Sequence, residues 1–130
     1  MKHSTLEWVE KAEGDWIMAQ RAYRARKDPV YDAACFHCQQ CVEKYLKAEL
    51  NEAMMIFNKT HDLEDLLKQV LAVEPGQASL QPRAAFLTNF AVRYRYPGQT
   101  ATKAQAQQAL KDCREMRRVI RTALGLPVAT

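Results

Sequence analysis

The sequence predicts an all-α protein, an antiparallel up-and-down bundle of four or five helices. Three observations lead there. Glycine is scarce, at 4 of 130 residues. No stretch alternates apolar and polar side chains over several strands. Apolar side chains recur instead every three or four residues, in long segments divided by short breaks. A length of 130 residues is enough for one domain with a core of its own, read here as residues 1–130 with the core over about 5–124.

The first helix is expected from about Ser4 to Arg26, opened by a capping box of Ser4 and Glu7. Trp8, Ala12, Trp16, Ala19 and Tyr23 form its apolar stripe. Asp28 and Pro29 supply an N-cap and a first-turn proline for the second helix, which runs to about Met54. Ala34, Cys38, Cys41, Tyr45 and Ala48 line one side of it. Thr60 is the expected cap of a shorter third helix carrying Leu63, Leu66, Leu67, Val70 and Leu71, and Glu74-Pro75-Gly76 breaks it. The fourth helix begins near Pro82, carries Phe86, Leu87 and Phe90, and ends by Tyr96, because the residue before Pro97 is pushed out of the helical region. Thr102 and Gln105 offer a capping box for the fifth helix, and Gly125 and Pro127 stop it after Leu124.

Composition narrows the function classes. Hydrophobic residues make up 48% and charged residues 26%, ordinary values for a soluble globular protein. No apolar run approaches the roughly 20 residues that span a bilayer, so no membrane role is expected. The opening MKHSTLEWVEKAEGDW lacks a signal-peptide core, which implies a cytoplasmic protein with reduced thiols. The net charge of +4 is unevenly spread: residues 83–130 hold nine Lys and Arg against only Asp112 and Glu115. A basic C-terminal third suits an anionic partner such as RNA or a nucleotide, or an acidic face elsewhere in the fold.

The stretch CFHCQQC, with Cys35, His37, Cys38 and Cys41, raises the question of a metal. On a continuous helix Cys35 and Cys41 lie roughly 9 Å apart along the axis. Two thiolates on one zinc lie at most about 4.6 Å apart. The spacing argues against a three-Cys site, and Cys38 and Cys41 are expected in the core. No metal and no cofactor is predicted.

The residues that suggest binding lie elsewhere. Arg93 and Arg95 point about 200° apart on a helix, but share a side on extended backbone, with Tyr94 and Tyr96 on the other. The extended form makes a phosphate clamp beside stacking rings, whereas the helical form leaves the arginines to stabilise a helix C-terminus. His61, beside the expected cap Thr60, is the leading acid/base candidate. Lys44 and Lys47 share a face of the second helix with Gln40, as a polar cleft or as an internally paired surface. Arg114, Arg117, Arg118 and Arg121 form a strip on the fifth helix, suited to RNA or to acidic groups of a partner.

The segments AACFHCQQCVEKYLKAEL (33–50), NKTHDLEDLL (58–67) and VRYRYP (92–97), in that order and spacing, resemble the HEPN (higher eukaryotes and prokaryotes nucleotide-binding) domain family. The matching positions are Phe36, Gln39, Gln40, Glu43, Lys44, Lys47, Ala48, Thr60, His61, Leu63 and Arg93 to Pro97, together with Trp8 to Ala19 and Asp15. The resemblance implies an antiparallel helical bundle that forms a homodimer. It implies a small nucleotidyltransferase partner in a toxin–antitoxin-type pair. Several members are metal-independent endoribonucleases that use an Arg followed, after four to six residues, by a His. This chain lacks that motif: the corresponding positions are Gly98, Gln99 and Thr100 after Arg93, and Thr100, Ala101 and Thr102 after Arg95. The expectation is a nucleotide- or RNA-binding protein rather than an enzyme. The alternatives are a ribonuclease with non-standard residues, Arg93 and His61, and a non-catalytic interaction module.

Overall fold

The apolar periodicity resolves into five α-helices in a computed structural model of the chain, which describes residues 1–92 and 96–128. They are α1 (His3–Arg24), α2 (Tyr31–Glu52), α3 (Leu63–Val70), α4 (Gln81–Thr88) and α5 (Lys103–Ala123), with a 3-10 turn (Pro75–Leu80) leading into α4. No strand occurs among the described residues. α2 is the central element and packs chiefly on α1 and α5, while α3 and α4 cover the remaining side. All five positions of the α2 stripe are buried, as are Ala12, Trp16 and Ala19 of α1 and Ala106, Ala109, Cys113, Met116 and Ile120 of α5.

The helix ends show where local chemistry overrode the simplest caps. α1 begins at His3, and Ser4 and Glu7 form no capping box. Glu52 from α2 does that work instead, accepting from the Lys2 amide at 3.0 Å and the Thr5 hydroxyl at 2.9 Å. Ser4 Oγ accepts from Asn51. α1 stops at Arg24, two residues before the expected end. Asp28 adopts φ +52, which a helix N-cap cannot, so α2 starts at Tyr31 behind Val30. α2 ends at Glu52 rather than Met54 because Met54 turns left-handed, at φ +59. Its amide bonds Asn51 and the Met55 amide bonds Leu50, the paired closure of a Schellman end, here without glycine. α5 closes the same way, with Gly125 at φ +76.

α3 is capped by Asp62, not Thr60: the Asp62 carboxylate accepts from the Glu64 and Asp65 amides. A charged acceptor at the N-terminus of a dipole outcompetes a hydroxyl, and Thr60 closes a turn onto the Asp62 amide instead. α4 is shorter than expected and ends at Thr88. The Thr88 hydroxyl donates back to the Ala84 carbonyl and accepts from the Leu63 amide, stitching the end of α4 to the start of α3. The capping box at Thr102 and Gln105 is present in both halves.

The thiols lie in the core. Cys35, Cys38, Cys41 and Cys113 are all free and fully buried. Cys113, on α5, lies beside Cys38 and Cys41 of α2. No group of three or more His, Cys, Asp or Glu side chains among the described residues is arranged to hold a metal. Burial pushes the Cys35 thiol up to about 12, and Cys41 and Cys113 well above their ordinary value. Thiolate chemistry is therefore suppressed. Native protein should label slowly with a thiol-specific disulfide reagent and release all four thiols only on unfolding; one fast-reacting cysteine in native buffer would contradict this packing.

Candidate functional site: a carboxylate-held histidine between α2 and α3

Gln39, Glu43 and Lys47 recur at four-residue spacing on α2, so they stack along one face. Gln39 and Glu43 are buried. A buried polar ladder must satisfy itself, and this one does. Glu43 Oε1 accepts from Gln39 Nε2 at 3.1 Å and pairs with His61 Nδ1 at 2.8 Å. Glu43 Oε2 accepts from Lys47 Nζ at 3.0 Å. Gln39 Nε2 also donates to the His61 backbone carbonyl at 2.9 Å, and Gln40 donates to Gln39 Oε1. Burial pushes the Glu43 carboxyl up, but hydrogen bonds from His61, Gln39 and Lys47 prevail and hold it below its ordinary value. The Lys47 ammonium also lies over the rings of Trp8 and Phe57, at 5.7 and 5.8 Å from their centroids.

The consequence falls on His61. Its side chain is 64% exposed, while the carboxylate that holds it is 5% exposed. A carboxylate on Nδ1 fixes that nitrogen as the donor, so that in the neutral ring Nε2 is the acceptor, on a side chain that is mostly exposed. His61 thus has the orientation of a positioned base or ligand contact. It lies one residue before the Asp62 cap, not within α3. Beside it is a hollow of about 320 Å³ lined by His61, Asp62, Thr88, Asn89, Ala91 and Val92. The chain passes from Val92 directly into Arg93, Tyr94 and Arg95, which lie outside the described residues; the choice between clamp and helix end falls there too. Tyr96 is exposed.

A second carboxylate–imidazole pair lies on α2's contact with α1. Asp15 Oδ1 holds His37 Nδ1 at 2.8 Å, and Asp15 Oδ2 takes Lys44 Nζ at 2.5 Å. Lys44 and Lys47 are therefore each engaged by a carboxylate, in the internally paired arrangement. The α5 strip is also divided. Arg117 is buried on Glu13, Arg118 pairs with Glu115, and Arg121 donates to Tyr45 Oη and the Pro127 carbonyl and lies 3.7 Å from Glu13 Oε1. Only Arg114 is left without a carboxylate among the described residues, lying over the Trp16 ring. The strip is not a continuous cationic face. Sequence reasoning gave Glu43 and Gln39 no role in positioning His61; the signal was their four-residue spacing from Lys47, which stacks the three along one face of α2.

A family model described as HEPN domain matches residues 5–123. The structure is similar to that of TT1696 from Thermus thermophilus, with a TM-score of 0.80 at 22% identity over 93% of this chain and 98% of that one. It is also similar to ST0689, an archaeal HEPN homologue, with a TM-score of 0.74 at 23% identity over 95% of this chain and 99% of that one. A search of curated proteins found no match.

Proposed function

The chain belongs to the HEPN domain family, and from that premise we propose that it is a nucleotide- or RNA-binding protein whose ligand contacts His61 and the Arg93–Tyr96 segment. The observation that carries this reading is the Glu43-held imidazole opening onto a hollow whose last lining residue, Val92, precedes Arg93. Arginine binds phosphate oxygens as a fork, tyrosine stacks on bases, and a histidine with Nε2 free accepts from a base or ribose. In this reading the protein is a cytoplasmic homodimer that acts with a nucleotidyltransferase partner in a toxin–antitoxin-type pair.

The test is binding of a fluorescein-labelled oligouridine, followed by anisotropy across a salt series. Wild-type protein should bind at low salt and weaken as salt rises, as phosphate contacts require. Arg93→Ala should weaken binding roughly tenfold and lower the salt slope by about one. His61→Ala should weaken it about fivefold, the worth of one neutral hydrogen bond, with little change in slope. An unchanged affinity in both variants would remove the site from this hollow.

The oriented Nε2 of His61 favours one competing reading, a metal-independent ribonuclease. RNA cleavage in excess EDTA that disappears in His61→Ala, with helicity retained, would establish it. If neither binding nor cleavage occurs, the chain is an interaction module.

A further inference from the structure

With Arg117, Arg118 and Arg121 consumed by internal partners, the positive charge left over on α5 is concentrated nearer its N-terminus. Lys111 and Arg114 lie one turn apart there, and Arg24, from the last turn of α1, faces the same cleft. The cleft encloses about 480 Å³ and is also lined by Tyr23, Gln107 and Gln108. None of its lining residues is acidic. Among the described residues, Arg24, Lys111 and Arg114 make no ion pair. Arg114 is nonetheless held in place, its guanidinium 5.6 Å from the centroid of Trp16, which is buried.

We propose that this cleft, between the C-terminal end of α1 and the N-terminal half of α5, binds the phosphates of a nucleotide, free or carried in an RNA strand, through Arg24, Lys111 and Arg114. Three cations converging on one concavity without a carboxylate repel one another, and an anion removes that repulsion. A volume of a few hundred cubic ångströms is that of a small-molecule site. The exposed Gln107 amide supplies a donor and an acceptor for a sugar or base. Trp16 fixes the Arg114 guanidinium, so less freedom is lost when phosphate arrives. The cleft shares no lining residue with the His61 hollow. The choice of a nucleotide as bearer of the phosphate rests on the reading proposed above; the location does not.

The experiment titrates wild-type protein and the double variant Arg24→Ala/Lys111→Ala with ATP and with labelled oligouridine, over a salt series. Both replaced side chains are exposed, so the fold should survive, and circular dichroism checks it. The double variant should lose tenfold or more in affinity and its salt slope should drop by about two. Gln107→Glu, which puts an anion in the cleft without removing a cation, should weaken the same probe. Loss for ATP identifies a free nucleotide, and loss for the oligomer alone identifies an RNA strand. Unchanged affinity for both probes in both variants overturns the proposal, and if Arg93→Ala still weakens binding, the reading at His61 stands. Wild-type protein that binds neither probe at low salt overturns both.

Discussion

Replacing Glu13 by Ala is expected to lower stability by about 3 kcal/mol, the cost of leaving a buried partner charge uncompensated. Glu13 lies on α1 and ties the three long helices together. Its carboxylate accepts from Arg117 Nε and Nη2 of α5, both at 2.7 Å, and from Tyr45 Oη of α2 at 2.5 Å. Arg121 Nη1 donates to the same Tyr45 oxygen at 2.9 Å. The Arg117 side chain is 6% exposed and that of Glu13 29%, so removing Glu13 leaves a largely buried guanidinium without its carboxylate. Partial exposure of Glu13 puts the expected cost at the lower end of the range for broken buried pairs. The melting temperature should fall by roughly 10 °C. The double replacement Glu13→Leu/Arg117→Met removes both charges and should recover most of that loss. If the double variant is as unstable as Glu13→Ala, the cost comes from packing rather than from the orphaned charge. Acid should act on the same contact. Burial pushes the Glu13 carboxyl up, but Arg117 and Tyr45 outweigh it and hold it below its ordinary value. Its contribution is therefore full above about pH 4.5 and fades as pH falls through the lower folded value.

The same contact shows why some of this architecture was legible in the sequence and some was not. The helices were legible because their buried stripes are local: Ala34, Cys38, Cys41, Tyr45 and Ala48 fall on one side of α2 whatever packs there. The capping box at Thr102 was legible for the same reason, since both of its residues lie within one turn. Ser4 and Glu7 carry an equally good local signal, but Glu52, nearly fifty residues away, supplies a charged acceptor and displaces it. The end of α4 follows the same rule, because Thr88 is drawn to the α3 amide of Leu63. At the candidate site His61 was legible as a titratable residue near a helix start. Its orientation was not, because that depends on a carboxylate from another helix. The arginine strip misled for a related reason. Helical spacing put its members on one side, but only the tertiary position of Glu13 shows that Arg117 faces inward.

Glu49 is expected to make the protein less stable as pH rises from about 4.5 to about 8, opposite to the usual effect of a carboxylate. Burial pushes its carboxyl up to about 8; the hydrogen bond from Gln77 opposes this only in part, and Glu74 adds to it. The folded chain thus keeps a proton on Glu49 at neutral pH that the unfolded chain gives up. A fold that binds more protons than its unfolded chain loses stability with rising pH across that interval, and the loss levels off above the folded value. The geometry fits a protonated acid. Gln77 Nε2 donates to Glu49 Oε2 at 2.5 Å, whereas Glu49 Oε1 and Gln77 Oε1 are both buried without a partner. Two facing acceptors cannot satisfy each other, but one proton on Glu49 Oε1 supplies the missing donor and closes a reciprocal acid–amide pair. That pair joins the last turn of α2 to the 3-10 turn that leads into α4. Glu49→Gln replaces the acid with an amide, which pairs with Gln77 in the same reciprocal way at every pH. Denaturation at pH 5 and at pH 8.5 should therefore show wild-type protein losing on the order of 4 kcal/mol more than the variant over that interval, from a pKa displacement of roughly three units at about 1.4 kcal/mol each. At pH 8.5 the variant should be the more stable of the two. Parallel pH profiles for the two proteins would mean that Glu49 ionises in the fold as readily as in water, with Glu49 Oε1 and Gln77 Oε1 satisfied by solvent instead of by a proton.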